Sequence, residues 1–364
     1  MFFKIPTLVY FEDDCLKNHQ EELAAFGKTC LIVTGKRGSR MNGSLADLTE
    51  VLENNKIVYH IFDEVEENPS LQTVNKAYLR YRDKDISFVI GLGGGSPMDA
   101  GKAIAVMLYH RFDDVYRLYQ KNADHKSLPF IAVPTTCGTG SEVTGAAVIT
   151  NDRIKTKQSI SYRIYPEMAL VDCRYLYSLP KQVLTNSSVD ALAHLIESYI
   201  SAKATAFSNM IALEGLRVWG LIKDCLLMPE KLTRKDYENL MLASVYGGMA
   251  IAHCGTALPH GFSYTLTYNL NIPHGRAVGY FLYGYLKYAD QKEVKKVLDM
   301  IGFEDLKQFK DYLTAVCRYE VLENSILDLA IDQLKEDKRK LSYCPYPTDE
   351  NLLRKIAYAY GDDR

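Results

Sequence analysis

Residues 86–107 read ISFVIGLGGGSPMDAGKAIAVM, and this stretch decides the fold. Ile86–Ile90 is a short β-rich apolar run, the glycines from Gly91 to Gly95 interrupt it, and Ala100–Met107 reads as a helix. At the junction Ser96 is placed to cap the helix, Pro97 suits its first position, and Asp99 completes a capping-box pattern. Glycines let the backbone approach a ligand, and the free amides of a helix start form a natural diphosphate site. The same glycines also fit a tight strand-to-helix turn with no ligand. No GKS or GKT follows, so this is not the P-loop pattern, and it is not an orthodox GxGxxG either.

Working outward, similar apolar runs occur at 29–34, 56–62 and 129–133, with a closing one at 168–172. Short runs of this kind separated by helical segments predict a parallel sheet covered by helices, with ligands at the carboxyl ends of the strands. A second loop, PTTCGTGSEVT from Pro134 to Thr144, follows the 129–133 run and supplies hydroxyls and small residues. Two such loops at one sheet edge suit an elongated ligand with phosphates and a polar ring, which describes a dinucleotide. From about Pro180 strand signals fade and helical periodicity takes over, as in 236–252 and 293–300. The expected division is therefore 1–179, an α/β domain, and 180–364, a helical one.

The helical half carries a second constellation. Asn186–Glu197 reads as a helix with polar starting residues, in which Asp190 and His194, four apart, share a face. His260 and His274 each sit beside Pro and Gly, at helix ends or kinks where a side chain is aimed. One carboxylate and three imidazoles suit Fe²⁺ or Zn²⁺ with room for a substrate oxygen. A surface Asp–His pair is the plain alternative for Asp190 and His194. His253 reads as a core histidine.

Bulk properties exclude several classes. The chain has 364 residues, 47% hydrophobic and 24% charged, which fits folded protein and not disorder. A net charge of −2 gives no field for nucleic acid or an anionic membrane. The basic cluster Lys335, Lys338, Arg339 and Lys340 reads as a solvated helix face. Eight scattered cysteines without a CxxC pair fit reduced thiols and a cytoplasmic location. The start, MFFKIPTLVYFEDD, has no signal-peptide pattern, and no apolar stretch is long enough to span a bilayer.

Taken together, GGGSPMD (93–99), PTTCGTGSE (134–142), DALAH (190–194), and His260 with His274 in PHG (273–275) resemble the iron-containing alcohol dehydrogenase family. The likeness is greatest to its propanediol and butanol dehydrogenase branch, which FDEVEENP (62–69) also resembles. The resemblance implies an α/β Rossmann-like dinucleotide-binding domain and an all-α metal-binding domain, the dehydroquinate synthase-like architecture, with the metal in the cleft between them. It implies metal ligation by Asp190, His194, His260 and His274, and a diphosphate on Gly94, Gly95, Ser96 and Asp99. Thr135, Thr136 and Thr139 are implied to line the cofactor's path, and Lys157 to reach its ribose or phosphate. The expected partner is a small alcohol or aldehyde, and the expected assembly a homodimer.

Two departures from the family pattern stand out. Many members place an acid directly after the Val-Thr that ends the second strand, where it binds ribose hydroxyls. Here Gly35 stands there, followed by Lys36, Arg37, Gly38 and Ser39. A glycine with cations and a hydroxyl nearby accepts a 2′-phosphate that an acid would repel, so NADP is expected over NAD; ordinary exposed loop charges are the alternative. Second, the proton-relay histidine of many members is Tyr264 here, which leaves Tyr264, bound water or His253 to carry the proton. Glycerol dehydrogenases and dehydroquinate synthases share the architecture. The four-ligand set favours the alcohol dehydrogenase branch, and a lone Arg276 falls short of a synthase's cation cluster. Intact candidate ligands argue against a silent nucleotide-binding protein.

Overall fold

The computed structural model describes residues 3–121 and 123–362; Met1 and Phe2, which begin the N-terminal stretch read above, and Asn122, Asp363 and Arg364 lie outside the description. Two compact units are formed. The first comprises Lys4–Thr136 with Ser141–Leu179, and the second Pro180 onward with Cys137–Gly140 and Phe3.

The first unit is built on a six-stranded sheet of β1 (Leu8–Phe11), β2 (Thr29–Gly35), β3 (Val58–Val65), β4 (Phe88–Gly93), β5 (Phe130–Pro134) and β8 (Met168–Val171). The order is β1-β8-β5-β4-β2-β3, and every neighbouring pair is parallel. The central strands β4, β5 and β8 are buried along their whole length, which explains their unbroken apolar runs: helices cover both faces. In the register of β4 with β5, Gly93 stands opposite Pro134. The glycine turn and the second loop therefore leave the sheet side by side at its carboxyl edge.

Three strands escape the sequence reading. β1 is a four-residue edge strand paired only with β8, too short to show a period. The strands β6 (Val148–Asn151) and β7 (Thr156–Ser159) form a separate antiparallel hairpin that puts Lys157 opposite Thr150. Its residues are mostly polar, so no apolar run marks it.

The helix after β4 also differs from expectation. It spans Gly95–His110, and Gly94, not Ser96, is the capping residue, with no side-chain cap. The Ser96 hydroxyl instead accepts from the Asn68 amide at 3.2 Å. Asp99 completes no capping box: its oxygens accept from the Ser141 hydroxyl at 2.8 Å and the Val148 amide at 2.9 Å. Long-range partners outcompeted the local ones.

The second unit is helical. Its Gln291–Ile301 helix shows why: Asp290 caps the start, Val294, Val297, Leu298 and Ile301 form one buried stripe, and Gly302 at φ 75° ends it. The Arg234–Cys254 helix opens with a reciprocal Thr233–Asp236 capping box. At the centre lies Lys181–Tyr199, buried from Leu184 to Ser198 except at Ser187. Its start is five residues earlier than the Asn186 read from sequence, so the polar Asn186–Ser188 are interior. They are satisfied there: the buried Trp219 indole donates to the Ser188 carbonyl and hydroxyl at 2.9 Å. Lys340 corrects a further expectation. Lys335, Lys338 and Arg339 are exposed, but Lys340 is only 3% accessible and donates to the Thr256 hydroxyl. Among the described residues no single helix is long and apolar enough to cross a membrane.

Candidate functional site

The central helix of the second unit places Asp190, His194 and Glu197 one and two turns apart on one face. His260 is the third residue of the Leu258–Leu270 helix, just after Pro259. His274 is the first residue of the His274–Lys287 helix, preceded by Pro273. Two proline-marked helix starts thus aim imidazoles at the central helix. The approach is close: a Cβ on Gly275 would lie 1.8 Å from the Asn186 carbonyl oxygen, so only glycine fits after His274.

Asp190 Oδ1 is the hub. His260 Nε2 lies 3.4 Å from it, His274 Nε2 3.7 Å and His194 Nε2 3.9 Å. Donors about 2.1 Å from one tetrahedrally coordinated ion stand roughly 3.4 Å apart, so this spacing suits a shared cation better than direct hydrogen bonds. Asp190, His260 and His274 offer donor atoms all within 4.8 Å of one another. Asp190, His194 and His260 are each no more than 5% accessible. Asp190 Oδ1 and His260 Nε2 are buried without a hydrogen-bond partner, an unmet demand that a metal ion answers.

The imidazole roles are set by their other nitrogens. His194 Nδ1 lies 3.2 Å from the Gly138 carbonyl, which can only accept, so Nδ1 carries the proton and Nε2 its lone pair. Burial pushes the His194 imidazole down to about 4, keeping it neutral. Glu197, fully buried, accepts from both the His260 backbone amide (3.1 Å) and its Nδ1. Burial alone would lower His260, but the Glu197 and Asp190 carboxylates outweigh it and raise it. For Asp190 burial acts upward, and His194, His274 and His260 overcome it, holding the carboxyl well below the usual range. Glu197 carries no sequence signal beyond its place seven residues after Asp190.

Tyr264 lies one turn after His260, with its ring stacked on His274 at a centroid distance of 6.1 Å. The Lys340 ammonium sits 5.1 Å over the same ring. Burial raises the Tyr264 hydroxyl above its ordinary pKa. His253 stacks on Phe3 at 4.4 Å and is not among the groups around Asp190.

The glycine loop in the first unit is a different kind of site. Gly93 has φ 143°, and a Cβ there would meet the Pro97 ring at 2.8 Å. Gly94 passes against the Thr136 side chain, and the Thr135 amide donates to the Gly93 carbonyl at 2.9 Å. Lys157 donates to the Asn68 side chain at 2.9 Å, and the Asn68 amide donates to Ser96, so one hydrogen-bonded chain ties Lys157 to the loop. Asn68 was missed as a participant. Beneath the loop a fully buried Lys102 donates to the Ser141 hydroxyl and to the carbonyls of Ser141, Thr144 and Ala146 at 2.7–3.0 Å. Thr139 falls in the helical unit, and Thr135 and Thr136 fall in the first. At the end of β2, Gly35 is half-buried and Lys36 and Arg37 are exposed. Ser39 departs from expectation: it is buried, and its hydroxyl pairs with that of Thr34 at 2.9 Å. Folding turned that hydroxyl toward the chain instead of outward.

Residues 6–173 match the iron-containing alcohol dehydrogenase family, and residues 184–329 match the C-terminal part of the Fe-containing alcohol dehydrogenase family. A crystal structure of an iron-containing alcohol dehydrogenase from Thermotoga maritima superposes with a TM-score of 0.91 at 35% identity, covering 99% of each chain. The bifunctional aldehyde-alcohol dehydrogenase of Escherichia coli K12 is 33% identical over 79% of this chain and 34% of its own length. An NADPH-dependent butanol dehydrogenase of Clostridium saccharobutylicum is 26% identical over 81% of this chain and 76% of its own. The chain spans about a third of the length of the first curated relatives it matches. Because the matches run through both units and include a near-complete structural relative, the chain belongs to the iron-containing alcohol dehydrogenase family.

Proposed function

We propose that this chain catalyses metal-dependent hydride transfer between a nicotinamide dinucleotide and a small primary alcohol, diol or aldehyde. The observation that carries the reading is the convergence of three imidazole Nε2 atoms on Asp190 Oδ1 in a buried setting. Asp190, His194, His260 and His274 are the residues that would hold Fe²⁺, or Zn²⁺ in its place. A divalent ion bound there supplies Lewis acidity to an alcohol or carbonyl oxygen, while the dinucleotide supplies or takes the hydride.

The chain's own contributions follow from its side chains. His194, neutral, and Asp190, ionised, present their donor atoms without competing protons. His274 is the most accessible of the four candidate ligands, at 23%, and a substrate oxygen would approach the cluster from its side. Tyr264, with its ring beside His274 and its pKa raised, keeps its proton at neutral pH and is the hydroxyl we assign as donor to a developing alkoxide. The Gly94, Gly95 and Ser96 amides at the helix start receive the diphosphate. Thr135, Thr136 and Thr139 line the dinucleotide's path, and Lys157, tied to the loop through Asn68, reaches its ribose or phosphate. Asp99 and Lys102 hold the loop's underside.

We further propose NADP over NAD. Gly35 offers no carboxylate to a ribose 2′-hydroxyl, and Lys36 and Arg37 are exposed beside it. Ser39 drops out of this subsite because its hydroxyl is buried. All eight cysteines are free thiols, which supports a reducing, cytoplasmic setting. A closed two-fold dimer is the expected assembly on general frequency.

Anaerobic turnover of butyraldehyde by metal-stripped protein tests the reading, with Fe²⁺ restored and NADPH compared with NADH. Fast iron-dependent NADPH oxidation is expected. Preference for NADH would overturn the cofactor assignment, and absence of turnover despite bound iron would overturn the activity.

A further inference from the structure

We propose that Glu197 is the positioning residue of His260: its carboxylate clamps the histidine's backbone amide and Nδ1–H together, so that Nε2 presents its lone pair toward Asp190. The inference rests on the metal-site reading above and extends it to a residue that does not itself face the cluster's centre.

The geometry is specific. One Glu197 oxygen accepts from the His260 backbone N–H at 3.1 Å, and the other from Nδ1 of the same residue. Backbone and ring are therefore gripped by a single carboxylate, which fixes both the helix-start position of His260 and its ring rotation. A carboxylate opposite Nδ1 selects the tautomer with the proton on Nδ1. The Nε2 so freed is the atom found 3.4 Å from Asp190 Oδ1 and without a hydrogen-bond partner.

Glu197 is fully buried and comes from the same helix as Asp190 and His194. A buried carboxylate is costly unless its charge is compensated. Nearby lies the buried ammonium of Lys340, whose charged form Glu197 favours against burial. A divalent ion at the cluster would add two positive charges against the two carboxylates of Asp190 and Glu197. Carboxylates behind metal-bound histidines raise ligand basicity and fix orientation, and losing one typically costs about 10–100-fold in metal affinity.

The neighbouring clamp differs instructively. His194 Nδ1 is held by the Gly138 carbonyl, a neutral backbone group that no side-chain substitution removes. His260 has its second nitrogen on a side-chain carboxylate, so its clamp can be tested by mutation.

The test is the Zn²⁺ and Co²⁺ affinity of Glu197→Gln, measured by chelator competition on the full chain beside wild type and His260→Ala. Glutamine matches glutamate in size but offers one acceptor to two N–H donors. A loss of about 10–100-fold in affinity, with a changed Co²⁺ visible spectrum and unaltered NADPH binding, is expected. Wild-type affinity and spectrum in Glu197→Gln would overturn the inference while leaving the metal site standing. Full metal retention by His260→Ala would overturn the metal site and this inference with it. A measurement on the wild-type holoprotein keeps the proposal testable even if Glu197→Gln misfolds. In Zn²⁺-loaded protein with labelled histidine, the His260 ring should be metal-bound at Nε2 and carry a strongly deshielded Nδ1 proton. Metal at Nδ1, or no such proton, would refute it.

Discussion

The glycine loop and the histidine cluster are opposite designs. In the loop, side chains satisfy one another: Asp99 accepts two hydrogen bonds, Lys102 makes four, and Ser96 and Lys157 meet on Asn68. For a diphosphate the loop offers backbone, the amides of a helix start. In the cluster the side chains carry the unmet demand: Asp190 and His260 keep buried atoms without partners. A long flexible dinucleotide is suited to a rigid backbone cradle. A metal ion is suited to side-chain donors held near the right spacing, with only part of their demand met inside the protein.

Substitutions that strike one site and spare the other sharpen this contrast. The largest effect is expected from Asp190→Ala, which removes the hub atom. Activity should fall by roughly a thousandfold or more and metal content should collapse, while NADPH binding measured by fluorescence persists; joint loss of both would break the contrast. Lys102→Met should act on the other side. It leaves Asp99 and three carbonyls without their cation and should lower stability by about 3–5 kcal/mol, read as a urea midpoint shift, with the metal affinity of the folded fraction unchanged. Tyr264→Phe should leave both binding functions intact and reduce kcat about a hundredfold; an unchanged kcat and pH profile would assign the proton to water. The smallest effect is expected from Gly35→Asp, which should shift the NADPH-to-NADH ratio of kcat/KM toward NADH by about tenfold, on the order of one charged hydrogen bond.

Much of the frame was legible because burial on both faces leaves an unbroken apolar run. The central strands β4, β5 and β8 show it, and the edge strand β1 and the polar hairpin of β6 and β7 do not. The helical half was legible through stripes and caps such as Asp290 with Val294, Val297 and Leu298. Asp190 and His194 could be grouped from their spacing alone, since four residues make one helical turn.

Other assignments depended on partners distant in sequence. Ser96 and Asp99 carry a capping pattern, yet Asn68, from the loop after β3, and Val148, from the separate hairpin, claim their side chains. Ser39 looks like a loop hydroxyl until Thr34 pairs with it, and Lys340 like a surface charge until the fold encloses it beside Thr256 and Tyr264. Glu197 gains its task only when His260, 63 residues later, is folded against it.

The sequence by itself determined the periodicities, the turn chemistry and the inventory of donors, because those depend on neighbours within a few residues. The tertiary structure alone decided which polar groups are satisfied by protein and which are left for a ligand. That outcome depends on which of many possible long-range partners the packed fold brings to each buried atom, and local sequence carries no record of it.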